Sequence, residues 1–255
     1  MAEVLVRSLT VKTGHATLVR AASFNLSAGE LVIIIGENGA GKSSLMRAVA
    51  GYLPVTNGRC LIDGKDIARL KPAERAKLMA WLPQSPSIAW PIRVRDAVAL
   101  GRFPHGAVPW KLAPTDAAAI DKALTDCDLD HLVNRSITTL SGGELARVHI
   151  ARALACDVPV LLADEPVAAL DPRHQLSVMQ LLRNMTERGA SVLVILHDLA
   201  LAARFADRII GMKGGEIIID SNAVDVISPV VIRELFGVEV AVNHDSGWPQ
   251  PVLVG

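Results

Sequence analysis

Three short runs of this chain, Leu31–Ile35, residues 158–163 and residues 192–196, are apolar throughout rather than at alternate positions. A strand with no polar face must be covered on both sides, as the central strands of a parallel sheet are. Each run is far shorter than the ~20 residues needed to span a bilayer, so the chain has to bury them in a core of its own. The first run leads into a helical stretch over residues 42–50 that Gly51 is positioned to end. Between the second and third runs lies a helix with Asp171 as N-cap, Pro172 at its first position and Gly189 past its end.

The flanking segments read differently. Val4, Val6, Leu9 and Val11 alternate imperfectly, and with residues 23–26 and 60–62 they predict a small antiparallel sheet. Pro86, Pro91, Pro104, Pro109 and Pro114 punctuate short helical pieces around Trp90 and Trp110, and helices are expected over residues 115–127 and 143–156. Residues 208–220 read as a hairpin turning at Gly214-Gly215, and Ser228-Pro229 starts a short helix that Gly237 ends. The expected fold is α/β: a single domain over residues 1–240, whose core (1–85 and 158–240) is interrupted by a helical insert at about 86–157. A tail at 241–255 carries no motif.

Composition narrows the function classes. Of 255 residues, 51% are hydrophobic and 20% charged, which suits a full core rather than disorder. The 26 basic and 26 acidic residues cancel, leaving no electrostatic footprint for nucleic acid or an anionic surface. Met1-Ala2-Glu3 lacks the profile of a signal peptide. Cys60, Cys127 and Cys156 are odd in number, widely spaced and without metal-ligand spacing, so reduced thiols and a cytosolic location are expected.

Gly36-Glu37-Asn38-Gly39-Ala40-Gly41-Lys42-Ser43 fits G-x-x-x-x-G-K-[ST] between a buried strand and a helix, the context this motif requires. Its glycines let successive N–H groups face phosphate oxygens, and the helix start adds partial positive charge. Lys42 is expected to reach the β- and γ-phosphates and Ser43 to coordinate Mg²⁺. The second buried run ends in Asp164-Glu165. Asp164 suits the metal, and Glu165 is set to polarise an attacking water. Alone, two carboxylates after a strand do no more than cap a helix; beside a phosphate loop they complete a hydrolytic set.

Leu140-Ser141-Gly142-Gly143-Glu144 opens a helix that carries Arg147 and Arg152. Ser-Gly-Gly at a helix start is a second anion-binding arrangement, although a lone S-G-G-E is commonly just a turn and a cap. Here it falls between the phosphate loop and the acidic strand.

With these motifs the sequence strongly resembles the nucleotide-binding subunits of ABC transporters, from about residue 3 to residue 240. The resemblance takes in the phosphate loop, Leu82-Pro83-Gln84, the signature at 140–144, Asp164-Glu165, Ala169-Leu170-Asp171 and Leu196-His197-Asp198, in family order. It implies a P-loop NTPase (RecA-like) core with a small antiparallel β-subdomain and an inserted helical subdomain. It also implies ATP and Mg²⁺ as ligands, with nucleotide contacts from Gly36, Glu37, Asn38, Gly39, Ala40, Gly41, Lys42, Ser43 and Ser44. Gln84 would contact Mg²⁺ and sense a neighbouring membrane subunit. Glu165 would be the general base, and His197 would touch the γ-phosphate. His197 also has a plain reading as the cap of its strand. Ser141, Gly142 and Gly143 would complete the site of a second copy, and Asp171 would communicate across that interface.

Two departures from the family pattern stand out. Thr13, beside Lys12, falls where relatives often stack adenine on an aromatic ring, and no Tyr, Phe or Trp occurs before Phe24. Ala168 replaces a frequent Ser. The segment Gly101-Arg102-Phe103-Pro104-His105, with Asp171-Pro172-Arg173-His174, looks like the importer branch for iron–siderophore complexes, haem and cobalamin. Arg102 and His105 either stabilise their loop or take part in coupling. The expected assembly is a homodimer on transmembrane permease subunits at the cytoplasmic face of the inner membrane, served by a substrate-binding protein. A soluble ABC ATPase in cofactor assembly or repair is the competing reading.

Overall fold

A computed structural model describes residues 2–84, 90–108, 111–245 and 247–253; Pro86, Pro109 and Trp110 lie outside the described residues. Met1–Leu70 with Leu182–Gly255 forms one unit, and Lys71–Leu181 forms the other.

The first unit opens with the antiparallel strands β1 (Val4–Thr13) and β2 (Ala16–Leu26), paired from Val4↔Leu26 to Thr13↔Ala16. The second strand is longer than the piece expected at 23–26. The pairing is interrupted, with Ser8 at φ 46° and Ala21 at φ 44°, and this hides the alternation of its first half. Hydroxyls satisfy the displaced amides there: Ser8 N–H donates to Ser23 Oγ at 2.8 Å and Ala21 N–H to Thr10 Oγ1 at 3.1 Å. Next come β3 (Leu31–Ile35), α1 (Lys42–Val49), β4 (Asn57–Ile62) and β5 (Lys65–Asp66). The sheet order β2-β1-β4-β5 is the small antiparallel sheet, while every residue of β3 is buried.

The second unit holds α2 (Pro72–Ala76), β6 (Met79–Leu82), α3 (Val94–Ala99), a 3-10 segment (Leu100–His105), α4 (Pro114–Asp126), α5 (Gly142–Ala155) and β7 (Val160–Asp164). Helices α4 and α5 each start one residue before the expected position, α4 because Pro114 itself occupies the first turn. Helices α3, α4 and α5 pack together, burying Val94, Val98, Ile120, Leu124 and Val148. Strands β6 and β7 run parallel, from Met79↔Val160 to Leu82↔Ala163. The helical pieces expected between 86 and 157 thus share a unit with two strands. Helix α6 (Pro172–Glu187) carries the chain back into the first unit.

There β8 (Ser191–Ile195), α7 (Leu199–Phe205), β9 (Arg208–Lys213) and β10 (Glu216–Ser221) follow. Strand β3 lies between β8 and β9, parallel to both, and β10 folds back on β9. The last elements are α8 (Ala223–Val226), α9 (Pro229–Phe236), β11 (Val240–Asn243) and β12 (Gln250–Leu253). Ser228 caps α9 and Gly237 ends it, as the sequence predicts. The motif-free tail is in fact paired: β11 and β12 are antiparallel, and the Arg204 guanidinium of α7 lies 4.9 Å from the Trp248 ring centroid.

Candidate nucleotide site

The phosphate loop joins β3 to α1 inside the first unit. Gly41, at φ 95°, stands as N-cap of α1, and a Cβ there would lie 2.4 Å from the Leu18 carbonyl oxygen. Only glycine fits this turn, and no side chain caps the helix, so its first amides face the loop. Buried Lys42 folds back along the same loop, its Nζ donating to the carbonyls of Gly36 at 2.7 Å and Glu37 at 2.9 Å. The loop is braced from outside: Gly215 N–H donates to Ala40 O, and Arg20 N–H to Gly215 O. Sequence reading assigned Gly214-Gly215 only the hairpin turn. Its second role, stitching β2 to the phosphate loop, has no local signature. Backbone amides at a helix start, a buried ammonium and a cradle that a Cβ would fill suit a polyphosphate.

His197 belongs to this unit too. It follows β8, whose parallel neighbour β3 leads into the loop; Ile34↔Ile195 pair, and Leu196 N–H donates to Ile34 O at 3.2 Å. Both motifs therefore leave the carboxyl ends of adjacent strands, where ligands of open α/β sheets bind. The capping role belongs to Asp198, whose Oδ1 accepts from Ala200 N–H at 2.8 Å and Leu201 N–H at 2.9 Å. His197 itself is exposed.

The carboxylates sit in the second unit. Asp164 ends β7 and is buried; Glu165 follows in the left-handed region at φ 52°. For a non-glycine residue that conformation costs about 1–2 kcal/mol and persists only where its surroundings impose it. Gln84, two residues beyond β6, donates from Nε2 to Glu165 Oε2 at 2.7 Å. Since Leu82↔Ala163 pair in parallel, Gln84, Asp164 and Glu165 share one sheet edge.

Ser141 caps α5 in a reciprocal box: Ser141 N–H donates to Glu144 Oε2 at 2.7 Å, and Glu144 N–H to Ser141 Oγ at 3.3 Å. Accepting the Ser141 N–H holds the exposed Glu144 carboxyl below its ordinary range. A Cβ at Gly142 would meet nothing within 4 Å, leaving the start of the helix open to an incoming group. Arg147 points elsewhere, donating to the carbonyls of Cys127 and Asp128.

Asp171 caps α6, its Oδ1 accepting from His174 N–H at 3.0 Å, while Oδ2 lies 2.7 Å from His174 Nδ1. These bonds lower its carboxyl pKa. His174 was missed as the partner of Asp171, although the i, i+3 spacing in Asp171-Pro172-Arg173-His174 signals it.

Thr13 ends β1 and, with its neighbours Lys12 and His15, is exposed at the tip of the first hairpin. Arg102 is buried against Asp116 (Nε–Oδ1 2.9 Å) and donates to the Ala155 carbonyl at 2.9 Å, while His105 Nε2 lies 2.6 Å from Cys156 O. Both residues fasten the Leu100–His105 segment to the end of α5. The three cysteines are free, with the Cys60 and Cys127 thiols pushed up to about 12 by burial.

A phosphate loop on a buried parallel strand, an acidic pair after a second strand and a capped Ser-Gly-Gly helix start define a P-loop ATPase. The chain belongs to the ABC transporter family, whose profile matches residues 19–168. It is 40% identical to the hemin import ATP-binding protein HmuV of Pseudomonas fluorescens strain Pf-5 over 98% of both chains. To the HmuV of Rhodopseudomonas palustris it is 42% identical, over 92% of this chain and 88% of that one. A dimeric ATP-binding cassette in a post-hydrolysis state, bound to ADP and Pi, superposes with a TM-score of 0.78 at 28% identity, over 86% of this chain and 98% of that one. Among the described residues no helix is long and apolar enough to cross a membrane.

Proposed function

We propose that this chain is the ATP-hydrolysing subunit of a haem importer, working as a pair of identical copies on permease chains at the cytoplasmic face of the inner membrane. The observation that carries the substrate is the near-full-length likeness to hemin import ATP-binding proteins. It narrows the set of iron–siderophore complex, haem or cobalamin that the Gly101–His105 segment suggests.

In this reading residues 36–44 bind the ATP phosphates, with Lys42 neutralising the β- and γ-phosphates through the ammonium now resting on Gly36 O and Glu37 O. Ser43, Asp164 and Gln84 offer hard oxygen donors suited to Mg²⁺, which when bound offsets charge on the phosphate oxygens. Glu165 orients the attacking water and takes its proton while the bond from the γ-phosphorus to the ADP oxygen breaks. His197 holds a γ-phosphate oxygen. Ser141, Gly142 and Gly143 of one copy face the nucleotide held by the loop of the other, and Asp171 links the two copies. Adenine is held without an aromatic ring at Thr13. Hydrolysis removes the anion that both copies grip, so the pair opens and the permease changes state.

The test is uptake into proteoliposomes holding the chain with its permease, supplied with binding protein and ATP. Haem should accumulate, and the Glu165→Gln protein should give none. Uptake of cobalamin or a ferric siderophore in place of haem would overturn the substrate assignment.

A further inference from the structure

Outside the nucleotide motifs, the second unit contains a cavity of about 220 Å³ lined by Trp81, Phe103, Pro104, His149, Arg152 and Cys156 among others. Two of its polar groups are unusual. His149 is only 3% exposed, yet neither ring nitrogen has a hydrogen-bond partner. Buried polar atoms are nearly always satisfied, and leaving one unsatisfied costs about 1–3 kcal/mol. The Arg152 guanidinium, half-buried, makes no ion pair or side-chain hydrogen bond among the described residues. Burial lowers its pKa, the mark of a cation that has lost water without gaining a counter-ion.

The wall facing these groups is built with care. Gly101 lies so close to α5 that a Cβ would sit 2.3 Å from the Arg152 carbonyl oxygen. Arg102 and His105, bonded to Ala155 O and Cys156 O, fix the segment on either side of Phe103. Phe103 is left 59% exposed. A large apolar ring is thus held in solvent at the rim of a cavity containing an uncompensated cation. No fold requirement explains that arrangement, whereas an apolar rim around a desolvated charge is how a protein interface anchors a partner.

We propose that this cavity receives an aspartate or glutamate side chain from the cytoplasmic surface of the permease, paired with Arg152 and accepting a hydrogen bond from His149. The proposal rests on the transport reading above and names the chemistry of the partner's contact. Neutral imidazole offers one donor and one acceptor, so the second ring nitrogen takes a backbone N–H of the same segment. Arg152 supplies a planar fork that matches a carboxylate. The cavity has room for such a side chain, and Phe103 and Trp81 in its lining offer apolar surface to the stem.

Full-length protein with Arg152→Gln, Arg152→Lys and His149→Gln should be compared for binding to the detergent-purified permease. Arg152→Gln is expected to weaken binding at least tenfold and Arg152→Lys by less. Permease-free ATPase activity and ATP-dependent pairing stay at wild-type levels in all three, which shows that each is folded. A photo-cross-linking amino acid in place of Phe103 should capture a permease peptide containing Asp or Glu. Wild-type affinity for Arg152→Gln would overturn the inference while leaving the transport reading intact. So would cross-links to lipid, to a second copy or to a peptide without an acidic residue. Failure of the wild-type chain to bind the permease would overturn the transport reading and this inference together.

Discussion

Gln84 and Glu165, 81 residues apart in the chain, are joined by a 2.7 Å hydrogen bond at the ends of the parallel strands β6 and β7. Glu165 is thereby fixed twice, by a left-handed backbone at φ 52° and by an amide donor at the tip of its carboxylate. A general base must be held in position before its proton affinity matters, and this pair supplies the holding.

Glu165→Gln keeps the side chain's shape and removes its ability to take a proton. Turnover should fall roughly 10²–10⁴-fold, the usual worth of a general base, while ATP still binds and an ATP-loaded pair accumulates. Steady-state phosphate release alongside size-exclusion chromatography checks both; unchanged turnover would remove Glu165 from the chemistry.

Gly41→Ala attacks the phosphate loop through its backbone. The added Cβ meets the Leu18 carbonyl at 2.4 Å and has to adopt φ 95°. ATP affinity should drop at least ~10-fold, equivalent to about 1.4 kcal/mol, without loss of the overall fold. Titration with a fluorescent nucleotide, with circular dichroism as control, measures it. Wild-type affinity would show that the loop relaxes freely.

Ser141 separates a structural role from a functional one. Ser141→Ala loses the bond from Glu144 N–H and should destabilise the protein by about 1 kcal/mol, yet still pair with ATP. Ser141→Arg should bind nucleotide as a single copy and fail to pair. Normal ATP-driven pairing by the Arg variant, read by light scattering, would refute a role for this helix start across the interface.

Burial, then the neighbouring Arg152, pushes the His149 pKa down to about 4 from an ordinary 6.5. The unfolded chain therefore takes up this proton below pH 6.5, while the folded chain resists until about pH 4. Stability is fully present above 6.5 and declines as pH falls through that window. Between pH 7.5 and 5.5 this site alone should cost about 1.4 kcal/mol, visible in urea unfolding and absent from His149→Gln. An identical slope in both proteins would assign the acid sensitivity to other groups.

What was legible in the sequence is what neighbours in the chain decide. The buried strands carry their own apolar signal, and the caps at Ser141, Asp171 and Ser228 sit within three residues of the amides they receive. Relations set by distant segments were not legible. The first half of β2 was hidden by the irregularity at Ser8 and Ala21, and the tail looked featureless because Trp248 finds its cation on α7. Arg102 and His105 stood out as residues, but their fastening to the end of α5 shows only in the fold. The vacant hydrogen bonds of His149 are likewise a property of its surroundings.

The most direct test of the paired site mixes two inactive proteins, Lys42→Ala and Ser141→Arg, both in a Glu165→Gln background. If each nucleotide is gripped by the phosphate loop of one copy and the signature helix of the other, the mixed pair has one intact site and one doubly broken site. Neither protein alone should trap ATP, and the mixture should trap one ATP per mixed pair. No trapped nucleotide in the mixture, or two per pair, would contradict the account.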